Sequence, residues 1–147
     1  MEPRLFADLP SAWQGSLRYR QKRHLLKHDL SVLGVEADTV PICSSLPQVD
    51  TPSKKLGAMY VLEGSTLGGK IIRRQLLAQL GMTINHALNF YQCYGENLDT
   101  EWQQFACFMA RHFDQASPEA IEQAATAALE TFNHLHEWLD KAASQSG

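Results

Sequence analysis

Gly57-Ala-Met-Tyr-Val-Leu-Glu-Gly64-Ser-Thr-Leu-Gly68-Gly69-Lys-Ile-Ile72 is the stretch on which the reading of this 147-residue chain turns. The residues around it have helical period, yet four glycines interrupt it. Each costs about 1 kcal/mol relative to alanine in a helix interior, so roughly 4 kcal/mol is given up. In a domain held by about 5 to 15 kcal/mol in all, that cost needs a reason. At about 100° per residue, Gly57, Gly64 and Gly68 fall within roughly 40° of one another, so one helix face is bare backbone. Either another helix approaches unusually closely there, or a flat ligand lies against main chain. The pair Gly68-Gly69 predicts a kink. A phosphate loop is excluded: Gly64 to Lys70 has the glycine spacing, but Ile71 stands where a hydroxyl is required and the upstream residues read as helix rather than strand.

Working outward, a second helix is expected from Ser53, as cap, to Leu80, with Gly81 ending it. Ahead of it, residues 35–52 carry Pro41, Pro47 and Pro52 and read as a connecting loop. A first helix is expected from Ser11, as cap, to Leu33, with Trp13, Leu17, Leu25, Leu26, Leu30 and Leu33 apolar. Its cations Arg18, Arg20, Lys22, Arg23 and Lys27 read as the wet face. Beyond a looser region through Tyr91, Tyr94 and Gly95, Asp99 or Thr100 is expected to cap a third helix with the buried stripe Trp102, Phe105, Ala106, Met109 and Phe113. The fourth opens with Ser117 as cap, Pro118, Glu119 and Glu122, and carries the stripe Ile121, Ala125, Ala128, Phe132, Leu135 and Leu139. Residues 142–147 are expected to fray. No stretch alternates long enough for a strand, so the expectation is a single all-α domain over 1–147.

The chain is 44% hydrophobic and 20% charged, with a net charge of −3. That balance supplies no positive field for nucleic acid or an anionic membrane. No run approaches the ~18 to 20 apolar residues of a membrane helix, and the start lacks the pattern of an export signal, so a cytoplasmic protein is expected. Cys43, Cys93 and Cys107 are widely spaced, without a Cys-x-x-Cys pair.

The run Leu56 to Gly69 resembles the distal-helix signature of bacterial biliverdin-producing heme oxygenases, especially those associated with bacterial phytochromes. Flanking segments are similar too: Lys22-Arg23 to Asp29-Leu30, Leu33-Gly34, Phe90-Tyr91, Tyr94-Gly95, Trp102, Phe105, and Ala128 to Trp138 around Thr131-Phe132. The resemblance implies a helical bundle clasping heme between a proximal and a distal helix, with heme both substrate and cofactor. It implies Gly64, Ser65, Gly68 and Gly69 as the distal-helix residues at the reaction and Gly64, Gly68, Phe132 and Arg111 as heme contacts. The implied reaction consumes O2 and electrons from a separate reductase or ferredoxin and yields biliverdin, CO and ferrous iron. The family's iron ligand, a histidine on an N-terminal helix, has no counterpart ahead of Gly64, so an N-terminally shortened bundle is expected and no iron ligand is assigned.

His24 and His28, at i, i+4 spacing on one helical face, are candidate substitutes for that ligand, with solvent exposure the plainer reading. His134 and His136 do not share a side. Ser65 and Thr66 lack a histidine partner and read as hydroxyls bonded to helix carbonyls or to a water network. Glu63 reads as a solvent or packing charge; Lys70, Arg73, Arg74 and Arg111 read as surface cations or as partners of the heme carboxylates. The alternative function is a tetrapyrrole-binding or dimerisation module without turnover: a bundle short of helices exposes apolar surface, for which a homo-oligomer is the expected remedy.

Overall fold

Thr51 sits in extended backbone and its side chain accepts a hydrogen bond from the Lys54 N–H, Pro52 takes the first helical position, and Gly81 ends the helix at φ 81°. These local signals bound helix α4, Pro52–Leu80, which is helical throughout, Gly68-Gly69 included. The cap is Thr51 rather than Ser53, which is buried inside the first turn. The computed structural model describes residues 1–145, and among them all regular structure is helical. The other helices are α1 (Glu2–Phe6), α2 (Ser11–Leu17), α3 (Arg23–Val32), α5 (Leu98–Phe113) and α6 (Pro118–Gln145). Single 3₁₀ turns lie at Arg18–Arg20 and Ala37–Thr39, and three more at Met82–Ala87, Phe90–Gln92 and Gly95–Asn97 link α4 to α5.

The expected first helix from Ser11 to Leu33 is broken at Gln21 and Lys22. In an unbroken helix, positions 20 and 22 point about 200° apart. Here Arg20 and Lys22 both reach one buried carboxylate, Glu63, which only a break allows. The new helix start is capped from a distance: the Glu2 carboxylate accepts from the N–H groups of Lys22 and Arg23 at 2.7 and 2.8 Å. Helix α1, which supplies Glu2, has no counterpart in the sequence expectation. Pro10, not Ser11, occupies the α2 cap position.

Helix α5 starts at Leu98, one residue before the expected caps, and runs back along α4. Its Trp102 lies beside Gly64 and Tyr60, and Phe105 joins a core of Leu5, Leu9, Trp13, Leu17, Leu56 and Met59. Trp13 is met edge-on by Phe108 at 5.6 Å and by His112 at 4.9 Å.

Ser117 caps α6 as expected, accepting from the Ala120 N–H at 3.2 Å. Helix α6 begins beside the start of α4, where Thr51 bonds Gln123 at 3.1 Å, and the two make the most extensive helix–helix contact among the described residues. The expected α6 stripe does not make that contact. The buried residues are Ala124, Ala127 and Thr131, while Ile121, Ala125, Phe132 and Leu139 are exposed. The reason is distance: a Cβ on Gly57 would lie 2.0 Å from the Ala124 carbonyl oxygen, so only small side chains fit the seam. The tail expected to fray from residue 142 is helical as far as Gln145; Ser146 and Gly147 lie outside the described residues.

Helix α3 packs on the turns of residues 82–92 through Asp29. Its carboxylate accepts from the Asn89 and Phe90 N–H groups at 3.0 and 2.8 Å and from the Asn89 amide at 2.8 Å. Burial alone would push this carboxyl up, but those donors outweigh it and hold it below the usual carboxylate range.

Two outcomes are expected for stability. Gly57→Ala should cost about 3 kcal/mol by overpacking the seam, whereas Gly68→Ala, with nothing within 4 Å of its new methyl, should stabilise by up to about 1 kcal/mol; urea unfolding monitored by circular dichroism distinguishes them. The depressed carboxyl of Asp29 contributes stability above the unfolded-state pKa of about 4 and loses it as pH falls through the lower folded value. Asp29→Asn should therefore destabilise at neutral pH, and its deficit relative to the parent should shrink as unfolding is measured at progressively lower pH below about 4.

Candidate functional site

Glu63 is 3% exposed, one residue before Gly64 on α4. The Arg20 guanidinium donates to it at 2.9 Å, the Lys22 ammonium donates to its other oxygen, and the Tyr94 hydroxyl donates at 2.9 Å. Arg20 also donates to the Tyr19 hydroxyl at 2.7 Å, Tyr19 donates to Glu101 of α5 at 2.7 Å, and Arg20 pairs with Glu101 at 3.1 Å. Burial, then the adjoining Glu63 charge, drives the Tyr94 phenol well above its ordinary pKa. Burial and the bond to Glu101 push Tyr19 to about 12. Both phenols are therefore protonated donors at neutral pH. Burial opposes the Arg20 charge, and Glu63 beside it outweighs burial.

This cluster was not legible in the sequence, where Arg20 and Lys22 read as wet-face cations and Glu63 as a solvent or packing charge. One signal was available: the apolar positions of the expected first helix lapse between Leu17 and Leu25, where the helix breaks.

Along α4 the glycines divide. Gly57 seats α6, and Gly69 seats the turn at Tyr91, whose carbonyl oxygen would lie 3.2 Å from an added Cβ. Gly64 and Gly68 seat no backbone. A Cβ on Gly68 would meet nothing within 4 Å, and one on Gly64 only the Trp102 ring at 3.8 Å. Tyr60, Leu67 and Ile71 lie within about 60° of Gly64 around the helix and are exposed. On α6, Phe132 and Leu139 are exposed.

The other candidates scatter. The Ser65 hydroxyl is bonded to the Leu62 carbonyl at 2.8 Å and that of Thr66 to the Glu63 carbonyl at 2.6 Å. Arg111 lines a cavity of about 590 Å³ between α2 and α5, with Ser16, Tyr19 and Phe108, apart from Gly64 and Gly68. His24 and His28 are exposed on α3, with His28 beside Asn89 at 3.3 Å. Among the described residues no group of three or more His, Cys, Asp or Glu could hold a metal ion. His136, paired with Asp140 at 3.2 Å and tilted against the Phe132 ring, adjoins the open face; the Nδ1 of His134 is buried without a partner.

A bare-backbone face flanked by apolar side chains fits a flat macrocycle. A family model for heme oxygenase matches residues 13–141. The chain belongs to the heme oxygenase family. It is 33% identical over 128 residues to a protein of Xanthomonas campestris pv. campestris (strain 8004) named "Heme oxygenase", covering 86% of this chain and 69% of that protein. No solved structure matches. The all-α bundle is thus heme oxygenase-like, and no helix among the described residues is long and apolar enough to cross a membrane. Within this family fold, the open glycine face and the buried Glu63 cluster lie on adjoining sides of one helix.

Removing the carboxylate tests the cluster. Glu63→Ala leaves two buried cations without their counterion and should cost roughly 3 to 5 kcal/mol in urea unfolding, whereas Ser65→Ala, at an exposed position, should change stability by less than about 0.5 kcal/mol.

Proposed function

We propose that the protein binds heme on the Gly64–Gly68 face of α4 and opens the ring oxidatively, giving biliverdin, CO and ferrous iron with O2 and electrons from a separate reductase or ferredoxin. The observation that carries this reading is the pair Gly64 and Gly68, where bare backbone faces the Trp102 ring and open space, respectively, within a 29-residue helix of a heme oxygenase family member. Heme supplies both the redox centre and the carbon framework that is cleaved.

The chain's own contribution is placement. Gly64 and Gly68 admit the ring plane close to main chain, Leu67 and Ile71 extend the floor, and Phe132 forms a wall from α6. Arg74, exposed at the edge of this face, is positioned for a heme carboxylate, whereas Lys70 lines the cavity at Thr66, Tyr91 and Tyr94 on another side of α4. Gly69 acts indirectly, by letting the Tyr91 turn close on the opposite side of α4. Ser65 holds its own helix through the Leu62 carbonyl. Glu63 fixes the rotation of α4 beneath the site.

A second reading is a tetrapyrrole-binding module without turnover, since the open glycine face by itself calls for a flat ligand and not for its cleavage. One experiment separates the two. Titration with hemin should give a saturable Soret shift, and ascorbate or a ferredoxin system should then bleach that band as biliverdin absorption grows. Binding without bleaching supports the second reading, and absence of saturable binding contradicts both. Gly68→Leu should weaken hemin binding at least about tenfold, since its side chain fills the space left for the ring, with the circular dichroism spectrum unchanged.

A further inference from the structure

Thr66, Lys70 and Arg73 recur along α4 at four- and three-residue steps and fall within about 60° of one another around the helix. The two cations point about 120 to 180° away from Gly64 and Gly68, so they belong to the other side of α4. Over this side the turns of residues 91–96 close down, because Gly69 admits the Tyr91 carbonyl oxygen to within 3.2 Å of where a Cβ would stand. Between helix and turns lies a cavity of about 220 Å³, lined by Lys70, Arg73, Tyr91, Gln92, Tyr94 and Glu96 among others. Sites for drug-sized ligands span roughly 300 to 1,000 Å³, so this one suits a small group and not a macrocycle.

The charges of this cavity are unbalanced. Lys70 and Arg73 stand three residues apart on one helix face, a spacing at which like charges repel, and among the described residues neither is in an ion pair. Arg73 spends one terminal nitrogen on the Asn85 side chain, and its Nε is buried without a partner. The Lys70 ammonium and the Tyr91 hydroxyl donate to no described residue. Behind the Tyr94 ring, the Glu63 carboxylate is matched by Arg20 and Lys22 and does not oppose an anion in the cavity. Glu96, exposed, is the one carboxylate of the lining, against two cations. The geometry points to a binding site for a phosphoryl dianion, with Arg73 as a planar fork, Lys70 as a point charge and the Tyr91 hydroxyl as a neutral donor. A phosphate group at neutral pH carries close to two charges and three acceptor oxygens, which answers two cations and a hydroxyl where a carboxylate, with one charge, does not. The site stands apart from the open glycine face, and its occupant is independent of whatever binds there.

Titrating the ¹⁵N-labelled full-length protein, without heme, with inorganic phosphate at constant ionic strength should move amide signals saturably, centred on Gly69, Lys70, Arg73 and residues 91–96, and chloride should not reproduce the shifts. Lys70→Gln and Arg73→Gln should each weaken binding about tenfold, and Glu96→Gln should tighten it about threefold, with circular dichroism unchanged. Lys70 is exposed, so its substitution reads the site even where loss of Arg73 disturbs the Asn85 contact. Adenosine monophosphate presents the same dianion on a larger body: it should compete with inorganic phosphate for one site, and the tighter of the two tells a phosphomonoester from free phosphate as the source. Shifts that do not saturate, or that centre elsewhere, would overturn the inference. So would affinity indifferent to Lys70→Gln, or two ligands that bind without competing.

Discussion

A carboxylate buried beneath α4 sets the geometry of this molecule. Glu63 draws Arg20 and Lys22 inward from the N-terminal segment and Tyr94 from the turns ahead of α5, and Arg20 continues the network to Glu101 through Tyr19. Such a cluster costs desolvation, which strong charge-assisted bonds offset, and what it gains is a unique arrangement. Gly64 comes directly after Glu63. Fixing Glu63 on the protein side of α4 thus fixes the direction of Gly64, about 100° around the helix, and with it that of Gly68 four residues on.

The glycines that make α4 conspicuous do not share one purpose. Close packing accounts for two of them, and the proposed ligand face falls on the other two. Gly57 admits α6 to a distance that no Cβ tolerates, and Gly69 does the same for the Tyr91 turn. Gly64 would meet only the Trp102 ring and Gly68 nothing, so no close backbone approach accounts for the helix-propensity cost of these two. The small seam residues Ala124, Ala127 and Thr131 are the counterpart of Gly57 on α6. By taking the inward side of that helix, they turn its large apolar residues out.

Where sequence signals are local, they carry through: Gly81 ends α4, and Ser117-Pro118 starts α6. The misplaced elements depend on partners remote in sequence. Nothing near residue 21 announces a helix break whose cause is Glu63, and nothing near Glu2 marks it as the cap of α3. The α6 stripe is legible as a stripe, but periodicity says which residues share a side, not which side is buried. Within the candidate site, Gly64, Gly68 and Phe132 are candidates through a motif; Gly64 and Gly68 share one side of α4, and Phe132 is exposed on α6. Arg111 lies over α2, in a direction the spacing along α5 could not disclose.

Nuclear magnetic resonance of the ¹⁵N-labelled protein with hemin tests the account at its centre, because the paramagnetic iron broadens nearby amide signals. The expected result is saturable broadening centred on Gly64, Leu67, Gly68 and Phe132, sparing Arg111 and the α3 residues His24 and His28. Broadening centred on α3 or on the α2–α5 cavity, or none that saturates, would contradict the assignment of the open face of α4 as the heme site.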